Sequence, residues 1–329
     1  MSDFSIGVDI GGTKVAAGLV DAHGEIRNRT RKPMVARGTA AEGLAAVISA
    51  IEALLDADSA DRSALRGIGV CSPGPLDPQK GVVLNPPNLP CWRNFPLADE
   101  LRRAFRVPVW LDNDANAAGL AEVLWGAGRG YRNVFYATIG TGIGTGIIFD
   151  GHIYHGRTGA AAEGGHLSID YHGPRCACGK HGCIEALAAG PAIAERARQK
   201  LAGDPSRHSQ ILALAGDDTA AVTSEIVGQA YAAGDAVATQ VLEETVDLLA
   251  IWLGNVIDLL EPDVIIIGGG VSAMLTPFFP RIRGHLPECC INPWPQDIPI
   301  VVARYAEDSG IAGAAALCTA NDSALKAIE

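Results

Sequence analysis

The sequence predicts an α/β chain built from two similar domains. Three observations carry that prediction. Apolar, strand-like runs end repeatedly in glycine-rich turns. The layout of residues 6–26 recurs at residues 134–153. The length of 329 residues suffices for two hydrophobic cores.

Composition narrows the function classes. Hydrophobic residues make up 48% and charged residues 19%, the balance of a globular chain. Lys and Arg number 26 against 37 Asp and Glu, a net charge of −11. Nucleic acid needs a basic face, so it is not an expected partner, whereas small molecules are. The start, MSDFSIGVDIGG, has neither a basic n-region nor a long apolar run, so no signal peptide is expected. The most apolar run, 264–267, is too short to cross a bilayer, so no membrane partner is expected. Eight cysteines without an export signal point to a reducing, cytoplasmic setting. There a local cysteine cluster suggests metal rather than disulfides.

Element by element, Phe4 to Ile10 reads as a strand, Gly11-Gly12-Thr13-Lys14 as a turn, and Val15 to Val20 as a second strand. Asp21-Ala22-His23-Gly24 makes a hairpin turn into Glu25-Ile26. Residues 41–56, AEGLAAVISAIEALLD, space their apolar positions for a helix. Gly67 to Val70 is a strand leading into SPGPLD. Val107 to Leu111 is a strand running into DNDANAAGLAEVLWGAG, with Asp112 or Asn113 at the strand-to-helix junction. VFYATIGTGIGTGIIFDGHI, residues 134–153, repeats the strand, Gly/Thr turn, strand, tight turn layout. Residues 225–260 are largely helical in pattern, and Asp263 to Ile267 is a buried strand stopped by Gly268-Gly269-Gly270.

Three glycine turns follow apolar strands. In DIGGTK, Asp9 closes a strand, Gly11 and Gly12 let backbone N–H groups approach phosphate oxygens, and Thr13 and Lys14 add donors. The turn from Gly140 to Gly146 has the same character, and the turn at Gly268 to Gly270 has room for a flat adenine ring. Any one of them is equally well a tight β-turn. No Walker A loop occurs, and no GxGxxG with a following acidic residue.

LDNDANA, residues 111–117, gathers two aspartates and two asparagines at a strand's mouth. Helix N-capping explains one of the four. A kinase acting on an alcohol needs a carboxylate to accept the hydroxyl proton, which Asp112 or Asp114 can supply. The amide of Asn113 can both donate to and accept from polyol hydroxyls. Further on, EGGHLSIDYHGPRCACGKHGC packs three cysteines and three histidines into residues 163–183, either as a structural metal clip or as buried thiols.

With DIGGTK, LDNDANA, IGTGIGTGI, EGGH and CxCGxxGC in this order, the chain resembles the ROK family over essentially its whole length, with a lean towards its bacterial glucokinases. That resemblance implies the actin-like, hexokinase- and Hsp70-type ATPase fold, two similar α/β domains around a central cleft. It implies a smaller N-terminal domain of 1–117 plus about 308–329 and a larger one of 118–307 carrying a zinc loop at 166–183.

The resemblance assigns roles residue by residue. Asp9 falls near Mg²⁺, and Gly11, Gly12, Thr13 and Lys14 fall near the phosphates of ATP. Gly140, Thr141 and Gly142 serve the phosphates from the other domain, and Gly269 and Gly270 fall on the adenosine side. The catalytic base falls on Asp114, and Gly74, Asn88, Asn113, Glu163, His166 and Glu185 fall around the sugar. The zinc ligands fall on His166, Cys176, Cys178 and Cys183. The Cys3His set H-x9-C-x-C-x4-C is one that closes a tetrahedral structural shell, although disulfide and buried-thiol readings stand beside it. His152, His155, His172 and His181 read as surface or supporting residues without a needed role, and Cys289 and Cys290 as buried small hydrophobes.

The reaction implied is ATP-dependent phosphorylation of a hexose 6-hydroxyl, glucose first, by a homodimer or a dimer of dimers. GlcNAc, ManNAc, fructose or mannose as acceptor, and polyphosphate as donor, are the alternatives within the family. The non-enzyme alternative is a sugar-responsive repressor. That branch carries a helix-turn-helix domain ahead of the fold, whereas here the phosphate turn begins at residue 9.

Overall fold

A computed structural model of the chain describes residues 3–58, 62–203 and 208–326. Among these, the elements run β1 (Phe4–Ile10), β2 (Lys14–Asp21), β3 (Ile26–Pro33), α1 (Ala40–Asp58), β4 (Leu65–Ser72), β5 (Leu76–Asp77), β6 (Val82–Val83), α2 (Leu97–Phe105), β7 (Val109–Asn113) and α3 (Asp114–Trp125). They continue with β8 (Asn133–Ile139), β9 (Ile143–Phe149), β10 (His152–Ile153), α4 (Ile184–Ala188), α5 (Gly190–Gly203), α6 (Gln210–Leu214), α7 (Ser224–Ala232) and α8 (Ala236–Leu260). The last are β11 (Val264–Gly268), α9 (Ser272–Leu275), α10 (Phe279–Cys289), β12 (Ile300–Val302) and α11 (Ser309–Lys326).

The internal repeat seen in the sequence is a repeat of topology. One five-stranded sheet has the order β3-β2-β1-β4-β7 and the other β10-β9-β8-β11-β12. Each order reads third, second, first, fourth, fifth strand of its own set. This is the strand plan of the actin-like fold. The chain divides into two compact units, one of Met1–Tyr136, Gly146–Ala162 and Ala303–Glu329, the other of Ala137–Thr145 and Glu163–Val302.

In the first unit, β2 pairs antiparallel with β1, and β4 and β7 run parallel to β1. Ile6, Val8 and Ile10 alternate onto the face that packs with Val47, Ile51 and Leu54 of α1. A capping box starts α1: Thr39 Oγ1 accepts the Glu42 N–H (3.2 Å) and Glu42 Oε2 accepts the Thr39 N–H (2.7 Å). β3, IRNRTRKP, alternates exposed and half-buried residues with a basic exposed side, as an edge strand does.

The opposite sheet face is built for close approach. Gly18, Gly7 and Gly69 are register partners on β2, β1 and β4. A Cβ on Gly7 would stand 1.9 Å from Ile311 O, and one on Gly69 would stand 1.7 Å from Ala314 O. The alanine-rich α11 therefore lies directly on backbone, with Ala312, Ala314, Ala315 and Ala316 fully buried.

In the second unit the strand β11, VIIIG, is buried at every position. The helical run expected over 225–260 is two helices, α7 and α8. They part at Ala233-Gly234-Asp235, where Gly234 takes φ +81° and Asp235 caps α8 by accepting the Ala238 N–H at 2.8 Å.

Candidate active site

Parallel strands end together, and their carboxyl ends are where an α/β sheet presents polar groups. On β1, β4 and β7, Asp9 pairs with Cys71 and Cys71 with Asp112 in register. Asp9 is half-buried, and that burial pushes its carboxyl above the usual carboxylate range, although the Cys71 hydrogen bond, Lys14 and Arg31 pull the other way. Burial also raises the Cys71 thiol well above its ordinary value, helped by the charges of Asp9, Asp114 and Asp112. The charges of three carboxylates thus bear on one buried thiol.

Register and capping resolve the strand-to-helix junction left open between residues 112 and 113. β7 runs through Asn113, and Asn113 is the N-cap of α3, its Oδ1 accepting Ala115 N–H (2.9 Å) and Asn116 N–H (3.4 Å). Asp114 is the first helical residue and is exposed; its Oδ1 also accepts the Ala115 N–H (2.8 Å). Asp112 points inward and is 3% exposed. Of the two aspartates, only Asp114 stands where an incoming hydroxyl can reach it.

The phosphate-type turn lies in the same unit. Gly11 N–H donates to Lys14 O (2.9 Å), Gly12 lies against Asn88, and Thr13 and Lys14 are exposed. A Cβ on Gly12 would come within 2.9 Å of Asn88 O. Gly12, Thr13 and Asn88 share a cavity of about 910 Å³. Gly74 precedes Pro75 through a cis peptide, with nothing within 4 Å of where its Cβ would be.

In the second unit, the Gly140–Gly142 turn closes through Gly140 N–H to Gly142 O (2.9 Å). Gly140 and Thr141 line a cavity of about 480 Å³ with Gly270, Arg198, Thr223, Ser224 and Glu225. Gly269 takes φ +87°, and a Cβ there would meet Ile139 O at 2.4 Å, so the turn after β11 packs on the end of β8 as only glycine allows. The sequence reading missed Arg198, Ser224 and Glu225. Arg198 sits mid-helix, and Ser224 and Glu225 open α7 after its N-cap Thr223, whose Oγ1 accepts the Ile226 N–H.

Glu185 joins two parts of this unit. Its Oε2 accepts the Ile143 N–H (2.9 Å) beside the glycine turn, and its Oε1 lies 3.8 Å from His166 Nδ1. Glu163 is exposed, and its backbone carbonyl accepts the His166 N–H (3.0 Å).

The ligand atoms of His166, Cys176, Cys178 and Cys183 all lie within 4.8 Å of one another. Cys178 Sγ to Cys183 Sγ is 3.6 Å, as is Cys176 Sγ to His166 Nδ1. A Zn–S bond of about 2.3 Å gives a tetrahedral shell an edge of about 3.8 Å, so the donor set fits that ion. Backbone hydrogen bonds shape the loop, with Cys176 N–H to Lys180 O (2.8 Å) and Gly182 N–H to Pro174 O (2.9 Å). The four cysteine and histidine positions are brought together without a disulfide, since all eight cysteines are free.

Of the surface and supporting roles open to His155, the structure gives the supporting one, its Nε2–H donating to Asp112 Oδ2 at 2.6 Å. One reading needs correction. Cys289 and Cys290 are half-buried rather than buried, at the end of α10 where the chain leaves the helix.

The chain matches the ROK family over residues 5–321. It is 37% identical over 314 residues to a glucokinase of Thermotoga maritima, covering 95% of this chain and 96% of that one. It is 32% identical over 316 residues to an N-acetylmannosamine kinase of Escherichia fergusonii, covering 95% and 97%. Its structure resembles that of a ROK family glucokinase from Streptomyces griseus in complex with glucose and AMPPNP. The TM-score is 0.81 and the identity 33%, over 95% of this chain and 98% of that one. No helix among the described residues is long and apolar enough to cross a membrane. Fold, motifs and matched length agree: this chain belongs to the ROK family.

Proposed function

We propose that the protein is an ATP-dependent glucokinase that phosphorylates the 6-hydroxyl of glucose, with Asp114 as general base. The observation that carries the reading is the pair of opposed placements on one turn: Asp112 buried and fully bonded, Asp114 exposed beside the N-cap Asn113. The similarity to a glucokinase at 37% identity, against 32% for an N-acetylmannosamine kinase, supports glucose ahead of N-acetylmannosamine.

In this reading O6 of glucose gives its proton to Asp114 as O6 bonds to the γ-phosphorus and the bond to the β–γ bridging oxygen breaks, releasing ADP. Gly74, Asn88, Asn113, Glu163, His166 and Glu185 hold the sugar hydroxyls. Backbone amides of the turns at 11–14 and 140–142, with Thr13, Lys14 and Thr141, meet the phosphates, and Gly269 and Gly270 meet the adenosine. The half-buried carboxylate of Asp9 suits a cation, and it would hold Mg²⁺. Bound Mg²⁺ neutralises charge on the phosphate oxygens. His166, Cys176, Cys178 and Cys183 would hold a structural Zn²⁺ that leaves no open position, so its part is to stiffen the loop that runs from Glu163 and His166 to Glu185 on α4.

An ADP-release assay with ATP across glucose, mannose, fructose, GlcNAc and ManNAc, with sugar phosphate measured directly when polyphosphate is the donor, tests the reading. Glucose with ATP should give the largest kcat/KM. A larger value for ManNAc would move the assignment to an N-acetylhexosamine kinase.

A further inference from the structure

His155 holds none of the roles assigned above, yet its surroundings give it one. It follows β10 on a stretch without regular structure, and its ring reaches the end of β7. The Asp112 side chain that it meets is only 5% exposed, against 28% for the imidazole. A carboxylate this dry needs its oxygens bonded or its charge balanced. Oδ2 is met by His155 Nε2–H at 2.6 Å. Oδ1 accepts the Asn113 N–H (2.7 Å) and Asn116 Nδ2 (3.1 Å).

Those partners bracket the residues of interest. Asp112 precedes the Asn113-Asp114 pair, and Asn116 follows it on the first turn of α3. Asn116 is itself 3% exposed, and its Oδ1 has no hydrogen-bond partner, so its bond to Asp112 is what orients the amide. Without the His155 donor, one oxygen of a buried charge is left bare, and the turn must shift to satisfy it. A shift of about 1 Å at a reacting group can cost about 100-fold in rate.

We infer that His155 is a positioning residue for phosphoryl transfer, acting through the buried Asp112 carboxylate to fix the turn that bears Asn113 and Asp114. The inference rests on the reading of Asp114 as the base.

Its test measures kcat and glucose KM for wild type, H155L, H155N and H155Q, with hydrogen exchange at the Ala115 and Asn116 amides. Leucine removes the donor, asparagine is too short to reach Asp112, and glutamine restores a donor at about the position of Nε2. H155L and H155N should each lose about tenfold in kcat with KM held within about twofold, and H155Q should recover most of that loss. The two amides should exchange faster in H155L and H155N than in wild type or H155Q. Unchanged kcat in H155N, a loss confined to KM, or no recovery in H155Q overturns the inference; if H155L fails to fold, H155N and H155Q decide it. D114N, assayed alongside, separates the two readings. Turnover surviving in D114N removes the base assignment, whereas a dead D114N beside fully active H155L and H155N removes His155 alone.

Discussion

Cys71 Sγ lies 3.6 Å from Asp9 Oδ1, on neighbouring parallel strands where the two residues are register partners. Gly310 backs the same carboxylate so closely that a Cβ there would stand 2.5 Å from Asp9 Cγ. Burial is the largest influence on Asp9 and raises its pKa. A carboxyl whose folded pKa is raised costs stability once ionised, and that cost is absent below its unfolded pKa and complete above its folded one. Asp9→Asn should therefore raise Tm by about 2 °C or more at neutral pH, and lower turnover by about 100-fold or more. Thermal unfolding beside an ADP-release assay reads both. A variant that loses stability as well as activity would mean that Asp9 is held for structure.

The glycine row under α11 makes a prediction about packing. On Gly69→Ala the new methyl carbon falls 1.7 Å from Ala314 O, a backbone atom that cannot rotate away. The helix must lift from the sheet, and the expected cost is about 3 kcal/mol. Urea unfolding measures it; a change below about 0.5 kcal/mol would show that α11 does not lie as closely as described.

Metal removal should act on the Cys176 loop. Cys176→Ser should reduce zinc content from about one ion per chain towards none and lower Tm by about 5 °C or more. Metal analysis by mass spectrometry checks the first and calorimetry the second. Full metal content in the variant would remove Cys176 from the ligand set.

The His155–Asp112 bond predicts how stability varies with pH. The hydrogen bond to Asp112 raises the His155 pKa above its ordinary 6.5, against the smaller opposing effect of burial. A raised histidine pKa contributes stability that is fully present below 6.5 and is lost as pH climbs through the folded value. The Tm advantage of wild type over His155→Gln should be largest below pH 6.5 and shrink as the pH is raised above it. An advantage that grows with pH contradicts the charge assignment.

How far the sequence could be read depended on whether the cause was local. β1, β2 and the 134–153 repeat are legible because strand alternation and turn chemistry are written in adjacent residues. The Cys176-x-Cys178-x4-Cys183 spacing is legible for the same reason, since the loop makes the cluster. The His155–Asp112 bond joins residues 43 positions apart, and no spacing rule links a histidine after a hairpin to a strand end. Arg198, Ser224 and Glu225 reach the cavity beside Gly140 through the packing of α5 and α7, which periodicity places on a helix but not against a partner. The break between α7 and α8 was written in Gly234-Asp235, yet the apolar pattern on either side masks it.

The central claim is that Asp114 takes the proton from the sugar hydroxyl. Single-turnover phosphorylation of glucose by Asp114→Asn, with glucose affinity measured by calorimetry on the same sample, tests it most directly. The account predicts a rate lower by about 1,000-fold or more with glucose affinity within about threefold of wild type. A rate near that of wild type, with glucose still bound, would contradict it.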